Sequence, residues 1–204
     1  DWRLVINLAL EETMLSETIS RIQRNHGLEH ATIHVLSEKH KNFSAQGNSD
    51  HLGFHLNIYG DVAEADVFAA VEEAYRRMKG GEASLAVHPN CGTVLLTTAT
   101  MATLAAQTSL ALEQRRQRRP SIDLSVIANS LPTAVLAVVV ALIVSRPLGI
   151  YLQAHYTTDG DLRDLQLVSI EKIQPSPVTR LFQLLLTGGS RDRQPTAYRI
   201  RTRG

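Results

Sequence analysis

Three histidines recur at intervals of four residues within the stretch NHGLEHATIH, which covers residues 25–34. Because residues four apart lie on one face of an α-helix, His26, His30 and His34 would stack over two turns, with Glu29 beside the first two. Imidazoles at this separation can share one metal ion, so the stretch predicts a metal site with zinc as the favoured ion and iron as the alternative. The competing interpretation is that the histidines are partly buried hydrogen-bonding groups of an ordinary helix.

The spacing His26-x-x-Glu29-His30 resembles the motif of the inverted zinc proteases, in which two histidines bind zinc and the glutamate activates water. On this resemblance Glu29 would be the catalytic base of a zinc-dependent hydrolase of the peptidase type. The downstream glutamate ligand of those proteases has no identifiable counterpart in this sequence. The spacing is also similar to the histidine boxes of membrane di-iron oxygenases, although those enzymes need more histidines on more membrane spans.

A third ligand is expected from the sequence HPNCG at residues 88–92, which offers an imidazole and a thiol three residues apart. Cys91 would bind as a thiolate, as in zinc sites that mix histidine and cysteine. We therefore predict a metal site built from His26 and His30 and completed by His88, Cys91 or His34. Further candidates are two histidines and three glutamates, namely His51, His55, Glu72, Glu73 and Glu82. The alternative for residues 88–92 is a structural turn with a small buried cysteine.

The charges of the chain are unevenly distributed, although 21 Lys and Arg nearly balance 20 Asp and Glu. Residues 1–91 carry eight basic and thirteen acidic side chains. A nucleic-acid-binding protein concentrates basic charge on its folded domain, so this acidic balance excludes nucleic acid as the main partner. The single cysteine excludes an intrachain disulfide.

Hydrophobic periodicity predicts an α+β fold: a soluble, histidine-rich α/β domain at residues 1–91 and a C-terminal tail, residues 154–204, that packs with it. Apolar spacing predicts helices at 2–23, 27–38 and 63–79, and an apolar interfacial helix at Thr179–Leu186. Strands are expected at 54–59, 83–87, 165–173 and 197–201. Residues 42–53 are rich in Gly, Asn, Ser and Asp, which favours turns.

Residues 92–153 contain two uncharged stretches long enough to cross a bilayer, at about 93–112 and 124–145. The lipid bilayer is therefore an expected partner. The first stretch carries threonines and a glutamine, and such residues usually face another helix, which predicts membrane-protein partners for this span. The second stretch is almost entirely hydrocarbon.

The loop between the two spans, residues 113–119, contains Arg115, Arg116, Arg118 and Arg119. Short loops of this charge remain cytoplasmic, so the soluble domain is predicted to lie outside the bacterial inner membrane. The basic C-terminal tail argues for the opposite orientation.

Several blocks together resemble an uncharacterised bacterial family of two-span membrane proteins, known as a domain of unknown function among photosynthetic bacteria. They are HGLEHATI at residues 26–33, GF at 53–54, YGDV at 59–62, AVHPNCGT at 86–93 and RPLG at 146–149. The resemblance implies the two-span architecture and implies that the two histidine-containing blocks belong to one constellation. It implies no activity.

Two functions are expected from these observations. The first is a membrane-anchored metal-binding protein, with a zinc-dependent hydrolase as its specific form. The alternative is a non-catalytic accessory or assembly subunit of a larger membrane complex, for which the resemblance suggests a photosynthetic one.

Overall fold

The computed structural model describes residues 2–177, 179–180 and 195–204, with side chains described from residue 12 onward. Two compact units divide the chain. The first, which we call the α/β unit, comprises Asp1–Val87 and Tyr156–Gly204; the second, the helical hairpin, comprises His88–His155. The mixed helix and sheet composition predicted from the sequence is confirmed.

Helix α1 is one uninterrupted helix, Trp2–Lys39. The prediction of two helices separated near residue 25 is therefore wrong. Gly27 does not end the helix; a Cβ atom at this position would overlap the carbonyl oxygen of Asp159. The glycine is thus used for close packing inside a helix rather than for a turn.

A four-stranded antiparallel sheet has the order β1-β2-β4-β3. Its strands are β1 Ser44–Asp50, β2 Gly53–Tyr59, β3 Gln166–Ile173 and β4 Thr196–Arg203. The polar segment SAQGNSD was expected to form turns, and this expectation is wrong because it pairs along its whole length with β2 as strand β1. The strands predicted at 54–59, 165–173 and 197–201 are confirmed to within three residues at each end.

Helix α2, Glu64–Lys79, agrees with the predicted helix. Acidic residues in its first turn and basic residues in its last complement the helix dipole. Its apolar face and that of α1 cover one side of the sheet, where Phe54, Leu56 and Ile200 are fully buried. Burial of each such side chain contributes roughly 1.5–3 kcal/mol, so this core holds α1 against the sheet.

The segment Ala83–Ala86 forms a 3-10 helix instead of the predicted strand. Its backbone hydrogen bonds are local, from Leu85 to Glu82 and from Val87 to Ser84, which leaves no ladder for a neighbouring strand. The predicted helix Thr179–Leu186 falls outside the described residues from position 181 onward.

The helical hairpin consists of α3, Gly92–Arg116, and α4, Leu124–Leu152, which continues as a π-helical turn, Gln153–Thr157. Both helices are long and apolar enough to cross a membrane. Their 25 and 29 residues correspond to about 37 and 43 Å. Helix α3 extends to Arg116, so the first half of the predicted basic loop is helical.

Small residues hold the two helices of the hairpin close together. A Cβ atom on Gly149 would lie 2.8 Å from the Cα of Val94. Four residues earlier in α4, the Ser145 hydroxyl donates to the Thr98 hydroxyl oxygen at 3.0 Å. The side of α3 that carries Val94 and Thr98 is thereby occupied by α4.

Candidate metal-binding site

His26 and His30 lie one turn apart on α1, with ring centroids separated by 4.4 Å. Nδ1 of His26 is 2.8 Å from the carbonyl oxygen of Thr157, and Nδ1 of His30 is 2.7 Å from that of Ala86. A carbonyl oxygen only accepts hydrogen bonds, so each Nδ1 carries the proton and donates it. In the neutral imidazole of this tautomer Nε2 carries the lone pair through which histidine binds metals.

Cys91 is the third member of this group. It is buried and forms the N-cap of α3, where its sulfur accepts a hydrogen bond from the Thr93 backbone at 3.4 Å. The sulfur of a cysteine at such a position can serve as a metal ligand. One candidate ligand atom from each of His26, His30 and Cys91 lies within 4.8 Å of the others, and the group could hold a metal ion.

His34 and His88 lie outside this group. His34 directs Nε2 instead of Nδ1 toward a backbone carbonyl, that of Val87, at 2.9 Å. Nδ1 of His88 accepts a hydrogen bond from the Asn90 backbone at 3.2 Å within the turn before α3. Of the five predicted ligands, the structure therefore brings together His26, His30 and Cys91.

Glu29 points toward strand β1 and is also outside the group. Its side chain is buried, and its Oε2 accepts a hydrogen bond from the Ser49 hydroxyl at 2.7 Å. Gly47 leaves the space for this carboxylate, because a Cβ atom there would overlap it. Both β1 residues fall in the segment expected to form turns, so this contact could not be predicted from the sequence.

Three of the remaining candidate ligands, Glu73, Glu82 and His55, bond to arginines. Glu73 forms an ion pair with Arg76, and Glu82 forms one with Arg77. His55 accepts a hydrogen bond from Arg199, whose Nη1 is 3.2 Å from its Nδ1. Burial lowers the pKa of His55, because it disfavours the charged imidazolium, and the positive charge of Arg199 lowers this pKa further by repulsion.

Asp50 forms the other half of this network. Its carboxylate accepts a hydrogen bond from Arg199 at 2.9 Å. Burial would raise the pKa of Asp50, but hydrogen bonds from Arg199 and the Leu52 backbone outweigh burial and lower it. This network ties the β1–β2 turn to β4, and it does not form part of the candidate metal-binding group.

Two segments of the α/β unit, which we call the clamp segments, accept the hydrogen bonds of His26 and His30. One is the 3-10 helix that supplies the Ala86 carbonyl; the other contains Thr157 and Asp159. Both meet the helix at Gly27, where an added Cβ atom would overlap the Asp159 oxygen and lie 3.1 Å from the Ala86 Cβ. The Asp159 backbone also donates to the Gln23 carbonyl at 3.0 Å. These backbone partners carry no side-chain signature, so sequence reasoning could not identify them.

Fold and site together define a class of protein: a small α/β unit and a helical hairpin long and apolar enough to cross a membrane, in a chain whose His26, His30 and Cys91 could hold a metal ion. The chain belongs to the DUF6391 family, a domain of unknown function, whose model matches residues 21–170. The match spans the histidine pair, Cys91 and both long helices, and it confirms the resemblance to an uncharacterised family.

An uncharacterised protein of Picosynechococcus sp. is 31% identical over 174 residues, which is 78% of this chain and 78% of the relative. No solved structure matches this chain.

Proposed function

We propose that this chain is a membrane-anchored zinc-binding protein in which His26, His30 and Cys91 hold the ion. The observation that carries the proposal is the orientation of the two imidazoles. Each donates Nδ1–H to a backbone carbonyl, at 2.8 and 2.7 Å. Metal-binding histidines almost always donate their other ring nitrogen in this way, which fixes the tautomer and the ring plane.

The donor set favours zinc. Two imidazoles and one thiolate form a nitrogen and sulfur site of the kind that zinc occupies, with bonds of about 2.0–2.1 Å to nitrogen and about 2.3 Å to sulfur. A tetrahedral ion with such bonds separates two nitrogen ligands by roughly 3.3 Å and a nitrogen from a sulfur ligand by roughly 3.6 Å. The candidate atoms lie within 4.8 Å of one another, so each separation would have to shorten by at most about 1.5 Å. Iron is the alternative metal, since imidazole also suits it.

Three protein ligands would leave a fourth position for water or substrate, as in catalytic zinc sites. This feature supports the hydrolase as the specific form of the proposal. The role of Glu29 as catalytic base has less support, because its carboxylate accepts a hydrogen bond from Ser49 on β1. A catalytic role for Glu29 would require the side chain to leave this contact.

The hairpin supports membrane anchoring. Side chains such as Leu131, Leu136 and Ile143 are large, apolar and exposed along α4. Contiguous apolar surface of this kind marks a membrane or protein contact. By the positive-inside rule the arginine-rich loop between α3 and α4 lies in the cytoplasm. The start of α3 and the end of α4 then lie at the outer side of a bacterial inner membrane.

Elemental analysis of the detergent-purified chain tests the metal site. We expect about one zinc per chain, and its loss in the double variant His26→Ala/His30→Ala. The matched control is His34→Ala/His51→Ala, which also removes two histidines but leaves the group intact and should keep its zinc. Circular dichroism of each variant reports whether the helices remain folded. Zinc-free wild-type protein prepared without chelator, or full zinc retention in a folded His26→Ala/His30→Ala variant, would overturn the proposal.

A further inference from the structure

Helix α3 presents a polar stripe to the side opposite α4. Thr100, Thr103 and Gln107 are exposed and follow one another at spacings of three and four, so they share one face of the helix. Thr98 bonds to Ser145 of α4. At about 100° per residue, Gln107 points roughly 180° away from Thr98. Helix α4 therefore cannot be the partner of Thr100, Thr103 and Gln107.

An exposed glutamine on a membrane-spanning helix requires a partner. Hydrocarbon offers no hydrogen bonds, so a carboxamide that faces lipid loses the bonds it makes in water. Helices in membranes avoid this cost by turning such groups toward each other, and small neighbouring residues allow a close approach. Ala99 and Ala111 are exposed beside the stripe and provide this space.

We propose that the stripe Thr100–Thr103–Gln107 is the face through which two copies of this chain associate. This inference rests on the membrane insertion contained in the proposed function, and it is independent of the metal site. The stripe is uncharged, and each of its side chains contains both a donor and an acceptor. It is therefore complementary to itself and needs no partner of opposite charge.

The direction of insertion favours the same pairing. Two copies that insert with the same orientation can be related by a two-fold axis along the membrane normal, which brings residues near the axis opposite their own copies at the same depth. Such a contact is isologous, and isologous dimers are the commonest symmetric assembly. Gln107 would then bond to Gln107 of the second copy, with Leu96 and Leu104, both exposed, beside the contact.

Sedimentation in mild detergent measures the association. We expect wild-type chains to form dimers and Gln107→Leu to dissociate about tenfold more readily, which corresponds to 1.4 kcal/mol and lies within the range for hydrogen bonds between membrane helices. The control Leu136→Ala alters an exposed residue of α4 and should dimerise like the wild type. Gln107→Asn retains the carboxamide and should restore part of the association.

Alkaline carbonate extraction of membranes that contain the chain distinguishes a failure of membrane anchoring from a failure of the proposed interface. A chain that leaves the membrane refutes the anchoring and, with it, this interface. A chain that stays in the membrane but is monomeric, or that dimerises equally with Gln107→Leu, refutes the interface alone. Association with a different protein that depends on Gln107 would also overturn the second-copy proposal.

Discussion

Replacing Gly27 with alanine tests whether close packing on α1 holds the two carbonyls that orient the histidines. The new Cβ atom would overlap the Asp159 oxygen and lie 3.1 Å from the Ala86 Cβ. Both neighbours belong to the backbone or are attached directly to it, so neither can swing away as a flexible side chain would. The segments that carry the Thr157 and Ala86 carbonyls must therefore move outward.

The expected effects on stability partly cancel. Overpacking costs about 1–3 kcal/mol, and alanine in place of glycine inside a helix recovers about 0.8–1.0 kcal/mol. The free energy of unfolding of metal-free Gly27→Ala should therefore fall by roughly 0–2 kcal/mol. Zinc affinity should fall more clearly, by about 10–100-fold, because loss of the groups that orient metal-binding histidines has effects of this size.

Competition with a zinc chelator gives the affinity, and chemical denaturation of the metal-free protein gives the stability. Ile58→Val is a suitable control, because it alters a buried strand residue and costs about 0.5–1.5 kcal/mol without touching either clamp segment. Zinc binding by Gly27→Ala as tight as that of the wild type, or equal weakening of zinc binding by Ile58→Val, would contradict this role of Gly27.

Two further perturbations address the α/β unit. The pKa of His55 is lowered beside Arg199, so below the ordinary value of 6.5 the unfolded chain binds more protons than the folded one, and stability should decrease as pH falls through this range. Denaturation between pH 7 and pH 5 should show a smaller decrease for His55→Gln than for the wild type, and equal decreases would contradict this assignment. Gly47→Ala should lower the free energy of unfolding by about 1–3 kcal/mol, because its Cβ atom would displace the Glu29 carboxylate. That loss should be smaller in a Glu29→Ala background, and a double-mutant cycle without coupling would count against this contact.

Apolar periodicity predicted helix α2 and strands β2 and β3, and the length of two uncharged stretches predicted the long helices of the hairpin. All of these elements agree with the predicted positions. Strand β1 could not be predicted in this way. Its residues are small and polar, and its place in the sheet comes from pairing with β2 and from the space that Gly47 leaves for Glu29.

Only part of the candidate site could be predicted from the sequence. Helical spacing alone places His26 and His30 on one face, and the structure adds Cys91 to them. The same spacing also included His34, which the structure assigns to the Val87 carbonyl. All three imidazoles bond to backbone carbonyls, but His34 does so through Nε2, whereas His26 and His30 do so through Nδ1. This difference has no signature in the sequence and appears only in three dimensions.

X-ray absorption at the zinc edge of the detergent-purified chain tests the central claim most directly. Two nitrogen ligands at about 2.0–2.1 Å and one sulfur ligand at about 2.3 Å are expected, with the sulfur lost in Cys91→Ser. Because the chain has a single cysteine, a thiolate signal in thiol-free buffer can come only from Cys91. A zinc shell of nitrogen and oxygen alone in the wild-type protein, or a sulfur signal that persists in Cys91→Ser, would contradict the proposed site.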